Sequence, residues 1–230
     1  MSRLLDVSTS FVSTLLRPGA GMIVRGARAR PEARIRLYEF EGCPYCRKVR
    51  EMLTTLDLDA AIFPCPKGGT RFRAEVEKHG KQQFPFMIDP NTNTEMFESD
   101  DIVRYLAGRY GDGKVPLSLR MGPLTVLSGS AGSLIRFPRG TRARASRMPE
   151  GPLELYSYEC SPYSRLVREA LSELELPYVL HNLGRGSAKR PDFEKLSGKM
   201  QVPFLVDPNT GVAMFESAEI VKYLDQTYAL

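Results

Sequence analysis

The sequence predicts an α/β protein built from two tandem copies of one module. Residues 37–110 and 155–228 align without a gap and are identical at 31 of 74 positions, which indicates an internal repeat. Within each copy, short apolar runs alternate with segments whose apolar residues recur at helical spacing. The composition, 42% hydrophobic and 26% charged over 230 residues, is typical of a globular chain and argues against a disordered or collagen-like one.

Each copy is predicted to run strand, helix, strand, helix, strand, strand, helix. In the first copy the elements are expected, in that order, at residues 35–40, 45–56, 60–63, 71–78, 86–88, 94–97 and 99–109. The first helix is predicted because Val49, Met52 and Leu56 recur at helical spacing. The segment 89–93 predicts a tight hairpin turn, because Asp, Pro and Asn favour turns.

The repeat divides the chain into four segments. We expect a leader at 1–34, a first module at 35–110, a basic linker at 111–152 and a second module at 153–230. The leader and linker are expected to contain short helices. The uncharged stretch within the linker is shorter than the roughly 20 apolar residues of a spanning helix, so we expect no membrane span.

The net charge of +5 lies outside the two modules. Residues 1–36 and 111–152 each carry +5, whereas residues 37–110 and 153–230 carry −2 and −3. A nucleic-acid enzyme more often carries basic residues on its folded face, so we expect no nucleic-acid partner. Two interpretations stay open: a solvated Arg-rich tether, or contact with an anionic membrane surface or an acidic partner.

The leader also resembles part of the linker. Residues 21–25 (Gly-Met-Ile-Val-Arg) are similar to residues 132–136 (Gly-Ser-Leu-Ile-Arg) at an offset of 111. This similarity predicts that residues 11–26 form a short helix and a strap within the folded protein. An Arg- and Ser-rich N-terminus is also typical of an organelle transit peptide, so a transit-peptide remnant stays a second interpretation.

The candidate reactive site is the motif Cys43-Pro44-Tyr45-Cys46, where the first strand meets the first helix. A helix N-terminus stabilises a thiolate and lowers the pKa of the thiol. We therefore predict Cys43 as the nucleophile and Cys46 as the resolving thiol. Positive charge is expected from the basic residues that follow, Arg47, Lys48 and Arg50. Two cysteines at this spacing also occur in zinc sites. The further cysteines and histidines that could complete such a site are few: Cys65, Cys160, His79 and His181. We therefore expect no metal.

Two later motifs complete the pattern: Phe84-Pro85 before a strand, and Glu98-Ser99 at the start of the last helix. Together with the cysteine motif, they resemble glutaredoxins and the N-terminal domain of glutathione transferases. The resemblance implies that each module has a thioredoxin-like (glutaredoxin-like) fold, a mixed four-stranded sheet flanked by helices. The tandem arrangement looks like a plastid group of plant and algal proteins, which implies a chloroplast location.

The resemblance also implies a glutathione site and its residues. Pro85 would be cis, the backbone of Phe84 would hold the cysteinyl part of glutathione, and Glu98 with Ser99 would receive its γ-glutamyl end at a helix N-terminus. Alternatively, Ser99 simply caps its own helix. The implied glutathione-binding residues are Tyr45, Phe84, Pro85, Glu98 and Ser99.

The second module departs from this pattern. Serines 161 and 164 stand where Cys43 and Cys46 stand in the first module, and the single cysteine, Cys160, lies one position upstream. The later motifs persist as Val202-Pro203 and Glu216-Ser217. The second module is therefore either a degenerate structural copy or a second glutathione site formed by Cys160, Val202, Pro203, Glu216 and Ser217.

The first module has two departures of its own. Glu41-Gly42 stands where glutaredoxins usually have a basic residue before the reactive cysteine, which weakens the electrostatic activation of Cys43. Cys65, between two prolines, is either a small apolar loop residue or an extra resolving thiol.

These observations predict a glutathione-linked thiol–disulfide oxidoreductase that reduces protein or glutathione mixed disulfides, with glutathione as co-substrate. A non-catalytic glutathione-binding or scaffold protein is the alternative. Glutathione transferase activity is less expected, because a second module stands where such enzymes have an all-helical domain. Iron–sulfur cluster carriage is a further option, with Cys43 and glutathione as thiolate ligands.

Overall fold

A computed structural model of the protein describes residues 3–15, 21–120 and 136–230. A leader helix, α1 (Arg3–Leu15), precedes the first module, and a short helix, α5 (Leu117–Arg120), follows it. The elements of the first module are β1 (Ile35–Glu39), α2 (Pro44–Leu56), β2 (Ala60–Pro64), α3 (Arg73–Glu77), β3 (Phe86–Asp89), β4 (Thr94–Met96) and α4 (Ser99–Tyr110). Those of the second are β5 (Leu153–Ser157), α6 (Pro162–Glu173), β6 (Tyr178–Asn182), α7 (Arg190–Ser197), β7 (Phe204–Asp207), β8 (Val212–Phe215) and α8 (Ser217–Tyr228).

The predicted order of elements is confirmed in both modules, with one clear difference in length. Helix α3 begins at Arg73, two residues later than expected. The carboxylate of Glu175 accepts hydrogen bonds from the backbone N–H groups of Thr70 and Arg71, each at 3.2 Å. These residues are thereby held against the second module instead of starting the helix.

All eight strands form one sheet in the order β4-β3-β1-β2-β6-β5-β7-β8. Within the first module β1 pairs parallel to β2 and antiparallel to β3, and β3 pairs antiparallel to β4. The second module repeats this pattern. Each module is therefore a mixed four-stranded sheet flanked by helices, and the predicted thioredoxin-like fold is confirmed.

The two half-sheets meet through an antiparallel pair, β2 with β6. Ala60 pairs with Leu180, Ala61 with Val179, and Ile62 with Tyr178. Ala61 and Val179 are equivalent positions of the two copies, 118 residues apart. The modules are thus related by a pseudo-two-fold axis through this pair, an arrangement that the repeat alone does not predict.

Alternating side chains of the first-module strands enter two separate cores. Leu37 of β1 packs in a large core with Val49 of α2 and Ile102 of α4. The next residue, Tyr38, packs on the other side of the sheet with Phe72 and Phe86. This alternation places α2 and α4 on one face of the sheet and α3 on the other.

Two extended segments, which we call strap 1 (residues 21–29) and strap 2 (residues 140–148), cross between the modules. In strap 1 the N–H of Arg25 donates to Thr55 O at 2.8 Å, and the N–H of Arg28 donates to Tyr110 O at 2.7 Å. In strap 2 the N–H of Arg144 donates to Glu173 O at 2.7 Å, and the N–H of Arg147 donates to Tyr228 O at 2.7 Å. The straps are therefore structural equivalents.

This equivalence corrects the predicted match between leader and linker. Arg144, and not Arg136, occupies the place of Arg25, so the offset is 119 and not 111. Residues 132–135 of the earlier match lie outside the described residues. The leader helix is found at Arg3–Leu15, upstream of the predicted start at residue 11.

The linker arginines are not all part of a solvated tether, contrary to one interpretation of the sequence. The guanidinium of Arg136 is buried and pairs with Glu169, and its Nη1 donates to Asp6 O of α1 at 2.8 Å. Helix α1 also packs on α6, where Ser10 Oγ donates to Pro162 O at 2.7 Å. Among the described residues, no helix has the length and apolar character to cross a membrane.

Candidate functional site

The cysteine motif lies at the predicted junction, where β1 turns into α2. Cys43 occupies the N-cap position in an extended conformation, and its Sγ accepts a hydrogen bond from the N–H of Cys46 at 3.3 Å. Its own N–H donates to Phe40 O at 3.0 Å, which closes the turn. Pro44 fits the first helical turn because it has no N–H to satisfy there.

The two thiols differ in acidity. Burial opposes ionisation of Cys43, but the thiol and the N–H of Cys46 donate hydrogen bonds to its sulfur, and the pKa of Cys43 is lowered. Burial raises the pKa of Cys46 well above its usual value, and the proton that it shares with Cys43 raises it further. The arrangement therefore favours a Cys43 thiolate beside a Cys46 thiol.

The sequence suggested that the three basic residues after the motif supply free positive charge. In the structure they do not. All are buried in α2 and paired with carboxylates. Arg47 Nε lies 3.1 Å from Glu51 Oε1, and Lys48 Nζ is paired with Asp100. Arg50 is paired with both Glu39 and Glu159. Activation of Cys43 therefore rests on the helix N-terminus and on Cys46.

A second segment approaches the motif through aromatic rings. The Phe84–Pro85 peptide bond is cis, as the resemblance implies. The ring of Phe84 contacts that of Phe40 edge-on, with centroids 6.3 Å apart, and the guanidinium of Arg73 lies 4.7 Å from the Phe84 centroid. Phe40 thus connects the turn before Cys43 to the residue before the cis proline.

The start of α4 forms the third part of the site. Glu98 occupies the N-cap position with φ of 65°, its side chain is exposed, and Gln83 Nε2 donates to its Oε1 at 2.6 Å. Ser99 is the first helical residue and is buried, so it does not cap the helix as one interpretation held. No side chain among the described residues caps this turn.

The structure thus brings the predicted residues onto three neighbouring segments: the cysteine turn, the cis-proline loop and the start of α4. Tyr45 is about half exposed (47%) on the first turn of α2. The linker covers the cysteine turn from the other side, where the N–H of Gly42 donates to Gly140 O at 3.1 Å. Cys43 keeps only 5% of its surface exposed.

Cys65 occupies a different environment. It is fully buried in the aromatic core with Tyr38 and Phe86, on the α3 face of the sheet. Burial raises the pKa of its thiol, and all four thiols are free in the described part of the chain. This environment favours the small apolar residue over the extra resolving thiol.

The second module reproduces the geometry with serines at the two motif positions. The Oγ of Ser161 accepts from the N–H of Ser164 at 3.2 Å, Val202–Pro203 is cis, and Glu216 has φ of 69°. Gln201 Nε2 donates to Glu216 Oε1 at 2.7 Å. Cys160 is buried, its pKa is raised by burial, and its N–H donates to Gly21 O of strap 1.

A buried charge network between the modules was not predicted as such. Arg50 pairs with Glu159, and Arg168 pairs with Glu41. Burial alone would raise the pKa of Glu159, but the charges of Arg168 and Arg50 outweigh burial and lower this pKa to about 2. Burial raises the pKa of Glu39 to about 7. The signal in the sequence was the identity of Glu41, Arg50 and Glu51 in both copies, since charged residues on a helix face otherwise vary freely.

Similarity to known proteins agrees with this geometry. The family described as "Glutathione S-transferase, N-terminal domain" matches residues 37–114 and 155–230, about two thirds of the chain. The chain belongs to this family. Membership associates the chain with glutathione, and it accounts for the thioredoxin-like fold of both modules. Among the described residues, no group of three His, Cys, Asp or Glu side chains is placed to hold a metal ion.

Several curated proteins are similar to the chain over stretches about as long as one module. The glutathione S-transferase-like protein OpS6 of Beauveria bassiana is 34% identical over 77 residues, 34% of this chain and 35% of that protein. The glutathione S-transferase-like protein tpcF of Aspergillus fumigatus is 31% identical over 77 residues, 34% of each chain. Protein URE2 of Meyerozyma guilliermondii is 30% identical over 86 residues, 36% of this chain and 29% of that protein. The chain thus spans about a third of the length of these relatives.

One solved structure is also similar. It is a trimeric glutathione transferase, TDR1, of Leishmania, with 14% sequence identity and a TM-score of 0.31 over 86% of this chain and 67% of that one.

Proposed function

We propose that the chain is a glutathione-linked thiol–disulfide oxidoreductase that acts through Cys43. The observation that carries the proposal is the hydrogen bonding of the Cys43 sulfur by Cys46, which lowers the pKa of Cys43 and raises that of Cys46. A thiolate is the form of cysteine that attacks disulfides. The family links the chain to glutathione, and we propose glutathione as the reductant.

The proposed cycle is balanced by two molecules of glutathione. The Cys43 thiolate attacks the glutathionyl sulfur of a mixed disulfide, the S–S bond breaks, and the substrate leaves as a thiolate that takes a proton from solvent. The Cys43–glutathione disulfide is then attacked by a second glutathione thiolate, which releases oxidised glutathione and restores the Cys43 thiolate. Alternatively, Cys46 loses its proton, attacks the Cys43 sulfur and releases glutathione. This leaves a Cys43–Cys46 disulfide, which two further glutathione molecules must reduce.

The glutathione would lie across the three segments of the site. We assign the γ-glutamyl carboxylate to the uncapped start of α4, because a helix N-terminus with free N–H groups binds carboxylate. The cysteinyl part would lie along the backbone of Phe84 beside the cis proline. Tyr45, exposed at the start of α2, would border the sulfur.

One observation favours a second candidate, a non-catalytic glutathione-binding or scaffold protein. Cys43 is 95% covered, and strap 2 contacts the turn that precedes it. A substrate can react only if the mixed disulfide reaches this sulfur.

The second module, with Ser161 and Ser164 in place of thiols, is proposed to be a structural copy that supports the first. A chloroplast location stays a proposal from resemblance.

The test is turnover of a small glutathione mixed disulfide by the full chain, compared with Cys43→Ser and Cys46→Ser. Loss of turnover in Cys43→Ser with survival in Cys46→Ser is expected for the two-glutathione cycle. Ser161→Ala changes the equivalent N-cap of the second module and should leave turnover unchanged. If calorimetry shows that the wild type binds glutathione but the wild type does not turn over the mixed disulfide, the oxidoreductase proposal is wrong. The result would then support a glutathione-binding protein.

A further inference from the structure

A cavity lies against the second module. It has a volume of about 410 Å³ and lies between leader helix α1, helices α6 and α8, and the linker. Its apolar lining consists of Val7, Leu166, Ala170, Ala218 and Val221. Small-molecule sites typically have volumes of about 300–1,000 Å³, so the cavity has the size of a small-molecule site.

Three positions of the lining differ between the two copies. The first-module equivalents of Leu166, Ala170 and Ala218 are Lys48, Met52 and Asp100. Lys48 and Asp100 form an ion pair across α2 and α4, and Met52 is buried in the core beside them. In the second module Leu and Ala replace the ion pair and Ala replaces the Met, so these lining side chains are apolar and two of them are small.

The charged groups around the cavity are already paired with one another. Arg136 pairs with Glu169, and Arg139 lies 3.5 Å from Asp6. Arg144 bridges α6 and α8, with its guanidinium 3.0 Å from Glu173 and 2.7 Å from Asp225. A ligand with a formal charge would have to break one of these pairs, whereas an uncharged ligand would not.

We propose that this cavity binds a neutral, mainly apolar small molecule, such as a compact aromatic compound. Burial of the ligand against Leu166, Ala170 and Val221 supplies the binding free energy, in proportion to the apolar area removed from water. Helix α1 closes one side through Val7, so the site is formed only when the leader is folded onto α6. The binding does not depend on Cys43, and it is therefore separate from the proposed thiol chemistry.

The test uses the full chain and N-phenyl-1-naphthylamine, a neutral aromatic probe whose fluorescence increases in apolar surroundings. Saturable binding of one probe per chain is expected. Ala170→Met places in the cavity the side chain that the first module has there, and should weaken binding roughly tenfold or more because the volume is filled. Ala188→Met, at an exposed loop position, adds the same side chain to the surface and should leave the affinity unchanged.

A second variant guards against misfolding of the first. Leu166→Lys combined with Ala218→Asp recreates the ion pair of the first module and should also abolish the fluorescence increase, with the thermal unfolding midpoint showing that the chain is folded. The proposal is overturned if the wild type shows no saturable binding. It is equally overturned if folded Ala170→Met, or the folded double variant, binds the probe as the wild type does.

Discussion

Arg50 of the first module donates from Nε to Glu159 Oε2 of the second at 2.8 Å, with both side chains 1% exposed. The pseudo-two-fold axis repeats the contact, since Arg168 Nε lies 2.9 Å from Glu41 Oε2. Each arginine is thus neutralised by a glutamate of the opposite copy. Separation of the modules would leave these charges without partners, so we expect the modules to fold and unfold together.

Replacing Arg168 with Met should therefore be strongly destabilising. Glu41 and Glu159 would both lose a buried cationic partner, and breaking a buried pair costs about 3–5 kcal/mol. Urea unfolding followed by circular dichroism should show a single transition at a lower midpoint. Arg104→Met, which removes an exposed pair with Asp101, should cost at most about 1 kcal/mol; equal losses in the two variants would contradict the role of the network.

Arg165→Met should have the opposite effect, although Arg165 is the next arginine on the same helix. Its Nε and Nη2 are buried without a hydrogen-bond partner in the described part of the chain. Burial and the neighbouring Arg47 lower its pKa to about 10. Because an apolar side chain of similar length removes a buried charge that forms no ion pair among the described residues, the urea midpoint should be unchanged or higher. A loss as large as that of Arg168→Met would show that Ser13, which accepts from Arg165, matters more than the charge.

The pH dependence of stability should report Glu39. Its pKa is raised from 4.5 to about 7 in the folded protein, first by burial and then by Glu41 and Glu159, against the effect of Arg50. The folded state therefore keeps a proton that the unfolded state releases, so this contribution to stability is complete below about pH 4.5 and is lost as pH rises to about 7.

Glu39→Gln removes this titration. Relative to the wild type, the variant should become more stable as pH rises from about 5 to 8, measured by urea unfolding at each pH. The Glu39 charge also raises the pKa of both motif thiols. The pH at which alkylation of Cys43 by iodoacetamide reaches half its maximal rate should therefore fall in the variant. A stability difference that is flat across this range would show that Glu39 is ionised throughout.

The modules could be predicted from the sequence because their cores are local. Val49, Met52 and Leu56 recur at helical spacing, and the same pattern in the second copy doubles the evidence. The position of Cys43 at the start of a helix followed from a motif of a few adjacent residues, and the cis bond before Pro85 followed from the family resemblance. These features depend on contacts within one module, which repeat wherever the motif repeats.

The relationship between the modules could not be predicted in the same way. Within one module, Arg50 and Arg168 have the sequence pattern of solvated helix residues. Their carboxylate partners lie in the opposite module, and the sequence does not indicate which helices of the two modules face each other. The depth of Cys43 depends likewise on Gly140, almost 100 residues away in a linker without apolar periodicity. The partners of such residues are set by tertiary packing, and local patterns carry no information about it.

Gly140 of strap 2 has a backbone conformation that favours glycine. This residue has φ of +62°, and a Cβ built on it would lie 2.9 Å from Glu41 Cβ and 3.3 Å from the Glu169 backbone. Gly140→Ala should therefore destabilise the chain by about 2 kcal/mol, because left-handed strain of about 1 kcal/mol is joined by this clash. Gly113→Ala, at φ of +81° with open space around it, should show the strain alone.

The same variant should change the reactivity of Cys43. An alanine at position 140 can be accommodated only if strap 2 moves away from Glu41 and α6, which weakens the hydrogen bond from Gly42 N–H to Gly140 O. The turn before Cys43 is then less covered, so iodoacetamide should modify Cys43 faster in Gly140→Ala than in Gly113→Ala, as measured by peptide mass spectrometry. Equal rates in the two variants would mean that strap 2 does not limit access to the sulfur, and that the covering residues belong to the first module itself.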